Sequence, residues 1–276
     1  MRSMAKLKLG MIVRLVREPD RELDKVQELG FPTCQVSCWD MKLYSKSVAR
    51  KLTSAAKDHD VEITTIWAGL PGTYVWNFID GPSTIGLVPL KTRRMRLRAL
   101  RKASDFARLV EVESITTHVG FIPENPKEPI YISLIDALKE VAKFCAENGE
   151  SFWFETGQET PVTLLRTIED IGAENLGINL DPANLLMYGK ANPVDALDVL
   201  GRYVCGVHAK DGEYPTNGRE LGREKPLGDG RVNFPVLISK LKALGYEGAL
   251  TIEREISGPQ QIEDIKKAKL FLERLC

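Results

Sequence analysis

Four segments in the second half of the chain read as short strands, each ending in a side chain that can bind a metal ion. The segments are SFWFETG, LGINLDPAN, VCGVHAKD and ALTIERE, and the side chains are Glu155, Asp181, His208 and Glu253. In an eight-stranded β/α barrel, side chains at the carboxyl ends of the strands point into one common space. Three carboxylates and one imidazole meeting there would bind a divalent cation that accepts oxygen and nitrogen ligands. Without a cation, repulsion and burial would raise the pKa values of the carboxylates.

Two of these residues suit proton transfer. Glu155 and Glu253 end the fifth and eighth predicted strands, so a barrel would place them on opposite sides of the metal. A carbon beside a sugar carbonyl is a weak acid, and a cation that binds the carbonyl oxygen and the neighbouring hydroxyl stabilises the enediolate. One glutamate removes the proton, and either can return one. Return to the opposite face gives epimerisation, and return to the neighbouring carbon gives aldose–ketose isomerisation.

The elements that position these residues alternate along the chain about eight times. The predicted strands are 7–13, 33–38, 61–68, 114–119, 151–155, 176–181, 203–209 and 248–254. The predicted helices lie near 20–29, 45–58, 90–110, 130–148, 161–173, 193–201, 233–244 and 259–274. This alternation predicts an α/β fold, a single (β/α)8 TIM barrel that forms one domain over residues 1–276. An open doubly wound sheet is the alternative, but no GxGxxG motif follows the first strand.

Two connections, 69–89 and 210–232, are too long to be plain turns. They follow the third and seventh predicted strands, so they should lie over the active-site rim, where long loops close over substrate. The first contains Tyr74, Trp76 and Phe78, which could pack down or stack on a ligand. A disordered insertion is the alternative.

The composition limits the choice of partner. Lysine plus arginine equals aspartate plus glutamate at 38 each, so no overall charge draws the chain to nucleic acid or to a membrane surface. No segment approaches the ~20 apolar residues needed to cross a bilayer. The five cysteines form no CxxC pair, which is typical of reduced thiols in a cytoplasmic protein. We therefore expect a cytoplasmic protein that binds neither nucleic acid nor a membrane.

The motifs THVG, FET, NLDPAN, HAKD, PLGDG and TIERE together resemble a known family. Over nearly the whole chain, the sequence is similar to the xylose isomerase-like TIM-barrel superfamily. The nearest group is the sugar phosphate isomerase/epimerase group, with tagatose/psicose 3-epimerases, hydroxypyruvate isomerase and inosose dehydratase. The resemblance implies that Glu155, Asp181, His208 and Glu253 ligate one divalent ion, commonly Mn²⁺, with Mg²⁺, Co²⁺ or Zn²⁺ as alternatives. It also implies that the two glutamates form the acid/base pair, and that a homodimer or homotetramer forms.

Three residues near this site are candidates for substrate contact. Trp67 directly precedes the aromatic loop, and His118 in THVG could donate to a substrate oxygen or could be a hydrogen-bonded rim histidine. Asn184 stands where epimerases of the group carry a substrate-binding histidine, three residues after the metal-binding aspartate. Tyr214 replaces the arginine that they place six residues after the metal-binding histidine.

Lys210 is the fourth candidate for substrate contact. It follows His208 by two residues and so points to the same face of the strand. Its ammonium group could hold a hydroxyl or phosphate oxygen, or could form a salt bridge with Asp181 or Glu253.

Two further groups of polar residues allow a structural interpretation. The basic run KTRRMRLRALRK, residues 91–102, is predicted to lie on a helix with its arginines on a solvated outer face or at a subunit contact. Thr156, Gln158 and Glu159 follow the fifth strand, where they could reach substrate or cap the next helix. His59, at a helix end, is predicted to be a surface residue.

Four functions fit these residues. The first is a metal-dependent isomerase or epimerase that acts on a small sugar, keto-sugar or sugar phosphate. A lyase would begin with the same deprotonation and then lose a β-hydroxyl or a glycosyl group. An endonuclease IV-type nuclease shares the barrel, but its three-zinc cluster needs several histidines and this chain has three in all. A barrel that binds sugar without turnover would not need two facing glutamates.

Overall fold

Eight parallel strands of the computed structural model, which describes residues 6–276, close into a barrel. Their order around the barrel follows the chain, with the last strand pairing with the first. The barrel strands are β1 (Leu9–Arg14), β2 (Thr33–Cys38), β3 (Glu62–Ala68), β4 (Ser114–Thr117), β5 (Ser151–Glu155), β6 (Leu176–Leu180), β7 (Val204–Ala209) and β10 (Leu250–Ile252). Most of their residues are buried, as expected for a parallel sheet covered on its outer face by helices. The predicted TIM barrel is confirmed.

Ten helices accompany the strands in the described residues. They are α1 (Asp20–Glu28), α2 (Lys46–Asp58), α3 (Gly81–Thr84), α4 (Leu90–Val110), α5 (Pro129–Glu147), α6 (Pro161–Ile171), α7 (Pro182–Met187), α8 (Pro193–Leu200), α9 (Phe234–Ala243) and α10 (Pro259–Glu273). The eight predicted strands and eight predicted helices agree with the structure to within two residues at each boundary. The short helices α3 and α7 were not predicted, because four to six residues are too few to show a helical period.

The two predicted long loops lie at the carboxyl ends of β3 and β7, and both contain secondary structure, with α3 in the first. The second contains a two-stranded antiparallel ribbon of β8 (Asp211–Gly212) and β9 (Glu224–Lys225). Asp211 organises the turn that follows this ribbon, because its carboxylate accepts four backbone N–H groups. The donors are Gly212, Gly228, Gly230 and Val232, at 2.8–3.2 Å. The PLGDG motif is therefore folded around one buried carboxylate.

The prediction for the basic run on α4 is wrong for two of its arginines. Arg93 and Arg96 are 7% and 1% exposed, so they do not lie on a solvated outer face. Both guanidinium groups donate to backbone carbonyls of the loop between β3 and α4. The acceptors are the carbonyls of Pro71, Thr73, Gly86, Leu87 and Val88. A loop has more carbonyls than its own N–H groups can satisfy, and these two side chains supply the missing donors.

The remaining fold predictions concern thiols and membranes. All five cysteines are free, as predicted, although Cys205 is exposed rather than packed in the core. Within the described part of the chain, every helix is too short or too polar to cross a membrane.

Candidate metal centre and active site

The structure brings together the four side chains at the carboxyl ends of the barrel strands. Glu155 is the last residue of β5, His208 lies near the end of β7, and Asp181 and Glu253 directly follow β6 and β10. One potential ligand atom from each of the four lies within 4.8 Å of all the others. Parallel strands in a closed barrel all end at the same rim, which is why residues far apart in sequence converge here.

The His208 imidazole lies at the centre of this group. Its Nδ1 is 3.1 Å from Glu155 Oε1, 3.1 Å from Glu253 Oε2 and 3.9 Å from Asp181 Oδ2. Three of these atoms, His208 Nδ1, Asp181 Oδ2 and Glu253 Oε2, are buried and have no hydrogen-bond partner in the described residues. Buried polar atoms are almost always paired, and here Lys210 Nζ, at 3.3 and 3.5 Å from the two carboxylate oxygens, supplies one positive charge to a group of three carboxylates. The group still carries excess negative charge that a bound cation could balance. Three carboxylates and one imidazole are suitable ligands for a divalent cation.

Asp181 divides its two carboxylate oxygens between the helix and the site. Oδ1 accepts the N–H of Asn184 at 2.8 Å and caps the first turn of α7, with Pro182 at the first helical position. The backbone of Asp181 is fixed as well, since its N–H and carbonyl both bond the Thr156 hydroxyl, at 2.8 and 2.9 Å. Oδ2 consequently points toward His208 and is free to bind a cation.

The sequence gives no prediction for Gln35, yet this residue orients the His208 ring. Gln35 lies on β2, is 1% exposed, and its Oε1 is 2.8 Å from His208 Nε2. Its amide Nε2 donates to Asn179 Oδ1 at 3.0 Å, which turns Oε1 toward the imidazole. His208 therefore donates through Nε2–H and turns Nδ1 toward the three carboxylates, which outweigh burial and raise the pKa of the imidazole, so that Nδ1 could bind a cation in exchange for its proton. A ligating histidine is commonly held in this way by an acceptor on its other nitrogen.

We expect Gln35→Leu to weaken divalent-cation binding by about 10- to 100-fold, the usual cost of losing the partner of a ligating histidine. Mn²⁺ affinity, measured by electron paramagnetic resonance titration, would report the loss. ¹⁵N NMR of the imidazoles would show whether His208 leaves the Nε2–H tautomer, and only three histidines need assignment. Gln35→Glu keeps an acceptor oxygen toward His208 and should retain most of the affinity. Equal affinity in Gln35→Leu and wild type would contradict this role.

Charges around the centre keep both glutamates ionised, so the expectation of raised carboxylate pKa values is wrong for these two residues. Burial raises the pKa of Glu155, but His118 and His208 lower it by more, so its pKa lies below the usual value. Burial also raises the pKa of Glu253, yet Lys210 and His208 bring it well below the usual value. Both side chains are therefore carboxylates at neutral pH, the form in which a glutamate binds a cation or accepts a proton.

Lys210 lies beneath the carboxylates. Its Nζ is 2.8 Å from Glu255 Oε1, 3.3 Å from Glu253 Oε2 and 3.5 Å from Asp181 Oδ2, and the residue is 1% exposed. The predicted salt bridges to Asp181 and Glu253 are thus present. A cavity opens at this rim of the barrel, and Lys210 is not among the residues that line it. Contact between Lys210 and a substrate therefore stays a prediction.

The other three predicted contact residues line this cavity, together with Glu155 and Glu253. Trp67 donates its indole N–H to Glu155 Oε2, and His118 Nε2 lies 3.4 Å from Glu155 Oε1. Asn184 is held on the first turn of α7. Tyr214, in contrast, is half exposed and donates its hydroxyl to the Gly189 carbonyl, away from this cavity.

The residues that follow β5 have roles that the sequence left undecided. Gln158 lines the cavity, whereas Glu159 is buried behind it and Thr156 bonds the backbone of Asp181. None of the three caps the following helix, because the Thr160 hydroxyl accepts the Thr163 N–H at the start of α6. His59 lies at the end of α2, where its ring contacts Gln27 and Asp20, far from the site.

Comparison with known proteins identifies relatives of this chain by sequence and by fold. A family model described as xylose isomerase-like TIM barrel matches residues 23–275. The crystal structure of a xylose isomerase domain protein from Planctomyces limnophilus is 33% identical, with a TM-score of 0.92 and 98% of each chain covered. A D-tagatose 3-epimerase-like protein of known structure is 24% identical, with a TM-score of 0.73 and 98% of each chain covered. An uncharacterized protein from Methanocaldococcus jannaschii is 26% identical over 97% of this chain and 88% of its own length.

Proposed function

Because the chain belongs to the xylose isomerase-like TIM barrel family, we propose that it is a divalent-metal-dependent isomerase or epimerase of a small sugar, keto-sugar or sugar phosphate. The observation that carries the proposal is the placement of Glu155 and Glu253 beside His208 Nδ1, each 3.1 Å from it and both within one group of four potential ligands. Binding a sugar requires no such pair, whereas return of a proton to the opposite face of a substrate carbon calls for a second acid/base group. Glu155, Asp181, His208 and Glu253 would hold the cation.

When bound, the cation would supply a positive charge that stabilises negative charge on a carbonyl oxygen of the substrate. Glu155 and Glu253 reach the cavity from different strands, so one carboxylate takes the proton from the carbon beside the carbonyl and becomes the carboxylic acid. That acid gives the proton back to carbon, or the other glutamate, after taking a proton from solvent, gives it to the enediolate instead. Their low pKa values keep both in the base form before substrate arrives. Return to the opposite face of the same carbon gives an epimer, and return to the adjacent carbon gives the isomer.

Two neighbours of Glu155 prepare it for this role. The Trp67 indole N–H fixes Oε2, which leaves Oε1 directed toward His208 and the cavity. The His118 ring, 3.4 Å from Oε1, lies where it can donate to a hydroxyl or carbonyl oxygen of a bound sugar. A proton-transfer group must be held within hydrogen-bond reach of its target, and these contacts limit the rotation of the carboxylate.

The test is metal analysis followed by deuterium exchange. Protein purified without chelator is analysed for Mn, Mg, Co and Zn, then incubated with Mn²⁺ and D-fructose, D-tagatose or D-ribulose in D₂O. We expect about one cation per chain and deuterium incorporation beside the carbonyl, detected by ¹H NMR, together with a new epimer or aldose.

Any other outcome of this test would favour a different function. A product that has lost a hydroxyl or glycosyl group would identify the lyase, which shares the first proton abstraction. A bound cation without deuterium incorporation into any keto-sugar would favour a sugar-binding barrel. Absence of a bound cation, even after soaking in Mn²⁺, would reject the metal-dependent mechanism.

A further inference from the structure

A line of aromatic rings leads outward from Glu155 along the rim. Trp67 and His118 contact Glu155, and the rings of Trp76, Tyr74 and Trp39 continue the line. Ring centroids are 5.2 Å apart for Trp76 and His118, 6.0 Å for Tyr74 and Trp76, and 4.9 Å for Trp39 with both Tyr74 and Trp67. Trp39, Tyr74 and Trp76 remain 38%, 44% and 40% exposed. Three neighbouring aromatic side chains with free surface, beside a polar centre, indicate a binding surface.

This surface is held in place by buried charged groups. Tyr74 and Trp76 belong to the loop between β3 and α4, whose carbonyls are bonded by Arg93 and Arg96. Within the same loop, Asn77 Oδ1 accepts the N–H groups of residues 79–81. Burying two guanidinium groups is costly, and here they fix the part of the loop that carries the exposed rings. The backbone that carries Tyr74 and Trp76 is therefore fixed by hydrogen bonds before any ligand binds.

The space at the rim extends well beyond the four residues of the candidate metal centre. The cavity has a volume of about 570 Å³, in the range typical of sites for drug-sized ligands, so a single sugar ring at the centre leaves part of it empty. A second depression of about 550 Å³ adjoins the cavity at Arg14 and Trp39 and continues past Asp40 to Tyr74. Trp39 lines both and so stands at the passage between them.

Polar groups lie at the edge of the aromatic surface. Arg14, at the end of β1, lines both spaces, and its guanidinium makes no hydrogen bond or ion pair to the rest of residues 6–276. Asp40 lies beside it in the outer depression. A pyranose ring has C–H groups on its faces and hydroxyls around its edge. The faces pack against aromatic rings, and the hydroxyls need charged or polar partners such as these two.

We propose that Trp39, Tyr74 and Trp76, with Arg14 and Asp40, form an outer subsite that binds a second pyranose ring. The substrate class is then a glycoside whose first ring lies at the four residues of the candidate metal centre, rather than a free monosaccharide. The inference rests on the proposed function for the identity of the first ring, but binding at the outer subsite requires no turnover. A purely apolar aglycone would leave the Arg14 guanidinium without a partner, which favours a second sugar.

The test compares one sugar ring with two. Isothermal titration calorimetry of the Mn²⁺-loaded protein measures affinity for D-glucose, cellobiose, maltose and phenyl β-D-glucoside. We expect at least one disaccharide to bind about three- to tenfold more tightly than glucose, the size of an aromatic stacking contribution. Tyr74→Ala should remove this difference while leaving glucose affinity unchanged, because Tyr74 lines the outer depression and not the cavity. The control is Ile79→Ala on the same loop, since Ile79 is 68% exposed and lines neither space.

A second variant separates loss of stacking from loss of folding. Tyr74→Phe keeps an aromatic face and should retain most of the disaccharide preference if stacking is the cause. Equal affinity of wild-type protein for glucose and for both disaccharides would overturn the outer subsite, and so would tight binding of phenyl glucoside alone. Deuterium incorporation into a free keto-sugar would then leave the proposed function standing. Disaccharide preference without bound cation or exchange would retain the subsite and reject the proposed chemistry.

Discussion

Glu155→Gln lowers turnover by about 10²–10⁴-fold, the contribution of one general acid or base, in a protein that remains folded. Glutamine has the same shape and still offers an oxygen to the Trp67 indole, so the barrel loses no packing. It can neither take up a proton from carbon nor place a negative charge beside His208. The measurement is the rate of deuterium incorporation at saturating Mn²⁺, with far-ultraviolet circular dichroism as the check on folding.

Glu159→Gln is the matched control for this variant. Glu159 lies four residues further along the chain, is equally buried and carries the same functional group, but it does not line the cavity. Burial raises the pKa of Glu159 to about 8, so the residue is largely neutral at pH 7 and its replacement by an amide changes little. We expect its rate to stay within a fewfold of wild type. A Glu155→Gln protein with the wild-type rate would remove Glu155 from the acid/base pair.

Lys210→Met destabilises the cation-free protein by about 3–5 kcal/mol, the usual cost of removing one partner from a buried ion pair. The lysine is the positive group that contacts Asp181, Glu253 and Glu255, and methionine fills its volume without its charge. Burial lowers the pKa of Lys210, but these carboxylates raise it well above the usual value, so the side chain is fully charged. The free energy of unfolding in urea, with EDTA present, measures the loss.

Adding Mn²⁺ should restore more stability to Lys210→Met than to wild type, because the cation replaces part of the missing positive charge. The control is Lys225→Met, which breaks a 3.3 Å pair with Glu213 in which both side chains are more than one-third exposed. Pairs of that kind contribute about 0–1 kcal/mol, so this variant should unfold almost like wild type. Similar losses in the two variants would show that Lys210 contributes packing rather than charge.

The sequence was sufficient to predict the barrel and the meeting of its four strand-end residues. Both follow from repetition: a strand-helix alternation seen eight times has one common solution, and that solution brings strand ends to one rim. Asp181 and Glu253 lie one residue past their strands, so the prediction did not depend on where each strand ends. The chemical roles of the four residues remain part of the proposal.

The burial of two arginines and the role of Gln35 could not be predicted, because both depend on which polar atoms lie close together in the folded chain. A helical period assigns Arg93 and Arg96 to the solvent side because they are charged, yet the adjacent loop had unpaired carbonyls within their reach. Gln35 carried one signal, an amide inside the otherwise buried strand TCQVSC, but its partners His208 and Asn179 are more than 140 residues away. Long-range polar pairing leaves no periodic trace in a sequence.

The shared use of the Asp181 carboxylate limits how far this barrel can be re-engineered. One oxygen caps α7 and the other faces His208, so the residue carries a folding task and a chemical task at once. A designer who exchanged Asp181 for histidine or cysteine, to favour a softer metal, would also uncap α7 and displace Asn184 from the cavity wall. Retargeting the metal preference is therefore better begun at His208, which caps no helix and takes no part in the proposed proton transfer.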